Sequence, residues 1–161
     1  MKQVLLALSL LMLAVDCSSD QQSDTGMEAE TAAAKAAIQQ LTGALQTELK
    51  TAIQAGGPAS AIAFCNTRAM PITQNVASEQ GLQLSRVSLK NRNPANLPND
   101  WQSAVLNDFE QQKAEGRNIA DLAWSETVEI EGGREFRFMK AIPTGDVCLV
   151  CHGAQIAPEV S

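Results

Sequence analysis

The sequence has no tyrosine and a single histidine, and aromatic residues make up only 4% of its 161 positions. One histidine excludes a zinc centre built on two or three imidazoles and bis-histidine haem ligation within one chain. Positive charge is scarce as well: 12 Lys and Arg against 18 Asp and Glu give a formal charge of −6. No run of Lys or Arg offsets that balance, which argues against nucleic acid as a partner, because phosphate neutralisation needs a basic face. No apolar run reaches the ~20 residues that a membrane-spanning helix requires. Internal repeats are lacking, and so is low complexity beyond one short polar stretch. What is present is 45% hydrophobic and 19% charged residues, the composition of one globular domain with a small core.

The first sixteen residues have the layout of an export signal. Lys2 is the positive n-region, Val4 to Val15 is the apolar h-region, and Asp16-Cys17-Ser18-Ser19-Asp20 turns polar. Cys17 directly after the h-region predicts a bacterial lipoprotein cleavage site. Ala14-Val15-Asp16 departs from the usual small residue before the cysteine, so ordinary cleavage nearby is the alternative. Either way the expected location is periplasmic or otherwise outside the cytoplasm, with membrane attachment through a lipid on Cys17. Residues 17–26 read as a polar tether and 27–161 as a single domain.

Within that domain Met27 to about Gln54 predicts a long helix, with Ala34, Ile38, Leu41, Leu45, Leu49 and Ala52 as its apolar stripe. Gly56-Gly57-Pro58 stops it, and Pro58 opens a second helix over Ala59 to Ala69, where Ala61, Ile62, Cys65 and Ala69 share a face. Pro71 interrupts, and a short helix from Ile72 to Gln80 ends at Gly81. Leu82 to Ser88 alternates as a strand does, Asn91 to Asn99 is a structured loop, and Asn99 or Asp100 caps a helix from Trp101 to about Ala114. Trp124–Ile130 and Glu135–Ile142 flank Glu131-Gly132-Gly133-Arg134, a hairpin signal. Helices, then strand, helix and hairpin make an α+β domain.

The chemistry is concentrated at Cys148-Leu149-Val150-Cys151-His152. Cys-x-x-Cys-His is the attachment pattern of c-type haem. Two thiols add to the two vinyl groups, and the adjoining His152 is placed over one face of the iron as axial ligand. A thioredoxin-type dithiol is one alternative, but the βαβ setting of that motif is missing. A zinc site would have to assemble Cys65, Cys148, Cys151 and His152 without a second closely spaced pair. For the other axial position, elimination leaves Cys65, Met27, Met70, Met139 and lysine side chains. A cysteine on an apolar helical face ordinarily serves as a small hydrophobe, and methionines ordinarily fill cores, so composition leaves this ligand open. Trp101, Phe109, Phe136 and Phe138 read as core rather than as cofactor-stacking groups.

Three segments together resemble a known family. These are Ala61-Ile62-Ala63-Phe64-Cys65; Arg86 to Asn96 (Arg-Val-Ser-Leu-Lys-Asn-Arg-Asn-Pro-Ala-Asn) with Pro98 and Trp101 after it; and Cys148 to Gly153. In this order the sequence, over roughly residues 30–161, is similar to the PAS-like c-type haem domain family, which occurs alone or in front of sensor kinases. The resemblance implies N-terminal helices followed by a PAS-like antiparallel sheet. It also implies one covalent haem c with a His and Cys axial pair, His152 and Cys65 by position. Members of that family continue past the Cys-x-x-Cys-His-Gly segment into another strand. This sequence ends at Ser161, so the expectation is a truncated C-terminal strand and an open sheet edge. With these roles Cys17 carries lipid, Cys148 and Cys151 hold the haem, Cys65 binds iron, and no cysteine remains for a structural disulfide. Arg86, Lys90 and Arg92 are candidates to pair with the anionic propionates, at least one of the three being solvated surface instead. Asn93, Pro94 and Asn96 fix the loop.

The function expected from these readings is a redox or diatomic-gas sensing module with no catalytic activity of its own, acting on a separate signalling or redox partner. The alternative is a periplasmic electron-transfer cytochrome whose acidic surface docks on a basic partner. A peroxidase is disfavoured, because it needs an open distal site with an acid–base residue.

Overall fold

The computed structural model describes residues 19–152, with Ile156 and Val160 beyond them. The export signal expected over residues 1–16 and the lipid site expected at Cys17 lie outside the described residues. The chain runs as α1 (Ser19–Thr67), α2 (Ala69–Gln80), a 3₁₀ turn at Pro94–Asn96 and α3 (Asp100–Ala114). A second 3₁₀ turn at Ile119–Asp121 leads into β1 (Ala123–Ile130), β2 (Gly133–Lys140) and α4 (Asp146–His152). The expected α+β class holds: a mostly helical N-terminal region precedes a two-stranded antiparallel sheet. The polar stretch expected as a tether is helical from Ser19 onward.

α1 is two helices across a kink. Gly56 (φ −160°, ψ 24°) and Gly57 (φ 69°, ψ −161°) leave helical geometry where the sequence places the break. The Gly57 conformation lies in a region that a side chain makes costly. The predicted stripe faces inward: Leu41 is buried, and Ala34, Ile38, Leu45, Leu49 and Ala52 are half-buried. α2 packs on α1, contributing Ala69, Thr73 and Val76 at steps of four and three. Gln40 pins the edge of this pair, donating to Glu79 Oε2 at 2.7 Å and accepting from Gln80 Nε2 at 2.7 Å.

α2 starts three residues before the predicted Ile72. Pro71 sits in its first turn, where backbone N–H groups have no helical partner, so the ring breaks nothing. Gly81 ends the helix in the left-handed conformation, as expected (φ 64°, ψ 30°). The strand expected over Leu82–Ser88 does not form. That segment has no ladder partner among the described residues, and Ser88 N–H instead donates to Asn96 O at 3.1 Å within the following loop.

α3 carries a full capping box. Asn99 Oδ1 accepts from Gln102 N–H, and Gln102 Oε1 accepts from Asn99 N–H, both at 3.0 Å. Its inner face packs on the hairpin, where Val105, Phe109 and Leu122 form the buried cluster, bordered by Trp101, Trp124, Met139 and Ala141. Trp101 stacks on Trp124 (centroids 5.5 Å apart, planes 23° apart), and the Arg137 guanidinium lies 5.0 Å above Trp101. The hairpin register runs from Ala123 opposite Lys140 to Ile130 opposite Gly133. β2 therefore begins at Gly133 and ends at Lys140, two residues earlier at each end than expected. Ala141 N–H donates to Leu122 O (3.0 Å) after the ladder has closed. Phe136 and Phe138 point to the other face, and α1 packs against β2 with Glu30 paired to Arg134 at 3.1 Å.

Candidate functional site around the Cys-x-x-Cys-His helix

α4 is a short helix with Asp146 in its first turn, where a carboxylate suits the helix dipole. Cys148 N–H donates to Gly145 O at 2.9 Å and closes the entry. Helical spacing then puts Cys148, Cys151 (three residues on) and His152 (four residues on) along one side. The two thiols are half-buried and the imidazole is exposed.

The end of α4 is held by a residue far away in sequence. Arg92 Nη2 donates to Cys151 O and also lies 3.1 Å from His152 Nδ1. Arg92 reaches there because its loop is tightly built. Asn93 Oδ1 accepts from Ala95 N–H (3.0 Å), Asn96 N–H donates to Asn93 O (2.9 Å), and Asn91 Nδ2 donates to Asn93 O (3.0 Å). Asn93 is thus the cap of the Pro94–Asn96 turn, the loop-fixing role expected of this segment. The contact with α4 was not expected from the sequence.

Cys65 sits two turns beyond Pro58 on the second part of α1. Its neighbours on the predicted face divide: Ala61 (1% exposed) and Ala69 (3%) are buried, whereas Ile62 (41%) and Cys65 are exposed. The exposure of Cys65 goes against the alternative that it serves as a small core hydrophobe. Desolvation nonetheless pushes it above its ordinary value of 9.0. The Arg86 guanidinium opposes that rise, and the Cys151 thiol adds to it. Arg86 itself is half-buried. His152 is held below its ordinary 6.5, first by desolvation and then by the charge of Arg92.

The other axial candidates are placed elsewhere. Met139 belongs to the hairpin core beside Trp124, Met27 lines a shallow groove with Thr31 and Ser125, and Met70 is exposed on α2. Lys90 is exposed, its backbone N–H donating to Ser88 Oγ. Trp101 and Phe109 are engaged in the core as expected, and Phe136 and Phe138 are half-buried in the hairpin. Among the described residues no three His, Cys, Asp or Glu side chains converge on a common point, a convergence the four-ligand zinc alternative requires. Cys65, Cys148 and Cys151 are free thiols.

The three site segments also leave apolar side chains in the open: Ile62 (41%) one turn before Cys65, Leu97 (68%) in the Arg92 loop, and Leu149 (46%) on α4. Thiols, an imidazole, cations and exposed apolar side chains on the same segments suit a ligand with an apolar body and an anionic edge.

The chain belongs to the Tll0287-like family. The match spans residues 21–160 and so takes in Cys65, the Arg92 loop and α4 together. Comparison with curated proteins and with solved structures finds no match. Among the described residues of this Tll0287-like chain, no helix is long and apolar enough to cross a membrane.

Proposed function

We propose that the chain is an exported c-type haem protein that senses redox state or a diatomic ligand through a Cys65/His152 axial pair. The observation that carries the proposal is the α4 helix, which sets Cys148, Cys151 and His152 along one side, in a chain whose family match takes in Cys65 as well. Bound covalently, haem supplies a one-electron iron centre with an exchangeable axial position. Cys148 and Cys151 would hold the group through their sulfurs, and His152 and Cys65 would be the residues offered to its iron. A Cys65 thiolate would supply negative charge, which would favour the oxidised state.

Two features support a releasable Cys65. Burial pushes the Cys65 thiol up, so a sulfur that lets go regains its proton at neutral pH. Its helical segment is also bounded by the Gly56–Gly57 break before it and the α1–α2 break after Thr67. A short segment between two breaks supports the reading that it moves when Cys65 lets go, as a sensor requires.

The test is a set of absorption spectra of the matured protein, ferric and ferrous, beside Cys65→Ala. The expected result is a sulfur-to-iron charge-transfer band in the ferric wild type, absent from Cys65→Ala and lost on reduction. Identical wild-type and Cys65→Ala spectra would remove Cys65 as ligand. Retention of the band on reduction would favour the electron-carrier reading.

A further inference from the structure

We infer that Arg92 is a positioning residue that orients His152 with Nε2 free, and that this hold is given up when Nε2 binds a metal. The inference rests on the haem reading above for the identity of that metal. Its basis is the double contact of one guanidinium nitrogen: Nη2 donates to Cys151 O and lies 3.1 Å from His152 Nδ1.

A guanidinium only donates. Nη2 carries two hydrogens, one for each of these acceptors, so Nδ1 must offer its lone pair. The neutral ring then keeps its proton on Nε2. Because the two ring nitrogens lie on opposite sides of the imidazole, fixing Nδ1 against Arg92 turns Nε2 away from the loop. The other acceptor, Cys151 O, is a carbonyl in the last turn of α4, a position that has no N–H to satisfy it within the helix itself. One side chain thereby fixes the backbone of one residue and the ring of the next. Arg92 is itself held between Asn91 and Asn93, whose hydrogen bonds set the loop.

Metal binding reverses the proton arrangement on the ring. Coordination through Nε2 uses the lone pair of that nitrogen, so the Nε2 proton leaves and the neutral ligated ring carries its proton on Nδ1. No atom or electron is lost, since the proton exchanges through water from Nε2 to Nδ1. Two donors then face each other at the Arg92–Nδ1 contact, and that hydrogen bond breaks. Arg92 keeps the Cys151 carbonyl, and its freed N–H groups suit an anionic edge such as a propionate.

The chain has a single histidine, so ring-nitrogen NMR of the uniformly ¹⁵N-labelled full chain reads His152 without assignment work. In the haem-free chain we expect an acceptor-type Nδ1 and a protonated Nε2. Arg92→Ala should shift both ring resonances toward tautomer-averaged values, and Arg92→Lys, which keeps a donor, should restore part of the shift. Circular dichroism of the variants checks that the helices persist. In the haem-loaded, reduced, diamagnetic protein, Nδ1 should change from acceptor to protonated type. Ring signals unmoved by Arg92→Ala would overturn the positioning role. An acceptor-type Nδ1 after loading would overturn the release. Failure of haem to attach would defeat the haem reading and the purpose assigned to Arg92, while the haem-free comparison would still decide whether Arg92 orients the ring.

Discussion

Phe109 is 6% exposed and Ile62 is 41% exposed, although both are large apolar residues on helices, and that contrast separates what folds the chain from what serves its site. Phe109 closes the cluster between α3 and the hairpin with Val105 and Leu122. Truncating it to alanine removes an aromatic ring from a core with few other large side chains. The expected cost is about 3–5 kcal/mol, read as a lower urea midpoint of the haem-free chain. Ile62 touches no such cluster, so Ile62→Ala should move the same midpoint by no more than about 0.5 kcal/mol. If the chain carries the proposed haem, the order of sensitivity should narrow on loading, because Ile62 lies one turn from Cys65 and would gain a partner there. Equal stability losses at the two positions in the haem-free chain would contradict this division.

At the scale of elements, the α3 cap and the α1 kink make separate predictions. Asn99→Ala removes one half of the capping box and leaves the Gln102 N–H without its acceptor, at a cost of about 1 kcal/mol. Gly57→Ala forces a side chain into a backbone region with φ 69° and ψ −161°, at about 1–3 kcal/mol. Here no neighbouring atom lies within 4 Å of an added Cβ, so the cost is backbone strain alone. Paired urea titrations measure both, and a neutral Gly57→Ala would show that the kink relaxes freely. These elements were legible in the sequence because local chemistry dictates them. Gly-Gly-Pro breaks a helix, Gly81 caps one, and Gly132-Gly133 between alternating runs turns a hairpin. The failures also have local causes. Alternation over Leu82–Ser88 reports which side chains share a face but names no partner strand, and none pairs with it among the described residues. Pro71 signalled an interruption, yet proline is harmless in a first turn. The Cys-x-x-Cys-His helix was legible as a motif, whereas Arg92 on His152 was not. That contact joins residues sixty positions apart, and no periodicity encodes it.

At the scale of the whole molecule, two titrating groups set limits on the pH at which the haem-free chain is most stable. His152 is held below its ordinary 6.5 by desolvation and by Arg92. As pH falls through 6.5 the unfolded chain takes up a proton that the folded chain still refuses, so stability declines until the folded value is passed. Cys65 is shifted upward from 9.0. As pH rises through 9.0 the unfolded chain releases a proton that the folded chain retains, so stability declines again. Between these two limits both groups are in the protonation state that the fold prefers. The measurement is the urea midpoint of the haem-free chain against pH, with His152→Gln and Cys65→Ser alongside. His152→Gln should lessen the decline on the acid side, and Cys65→Ser should lessen it on the alkaline side, each leaving the other side unchanged. Profiles parallel to wild type at every pH would show that neither group couples to folding. If His152 ligates the proposed haem, its acid-side contribution should vanish in the loaded protein, because a ligated Nε2 would have no proton to take up in that range. The two preparations compared at the same pH would then report on the same imidazole twice, as a titrating group and as the proposed ligand, and an acid-side decline unchanged by loading would count against ligation.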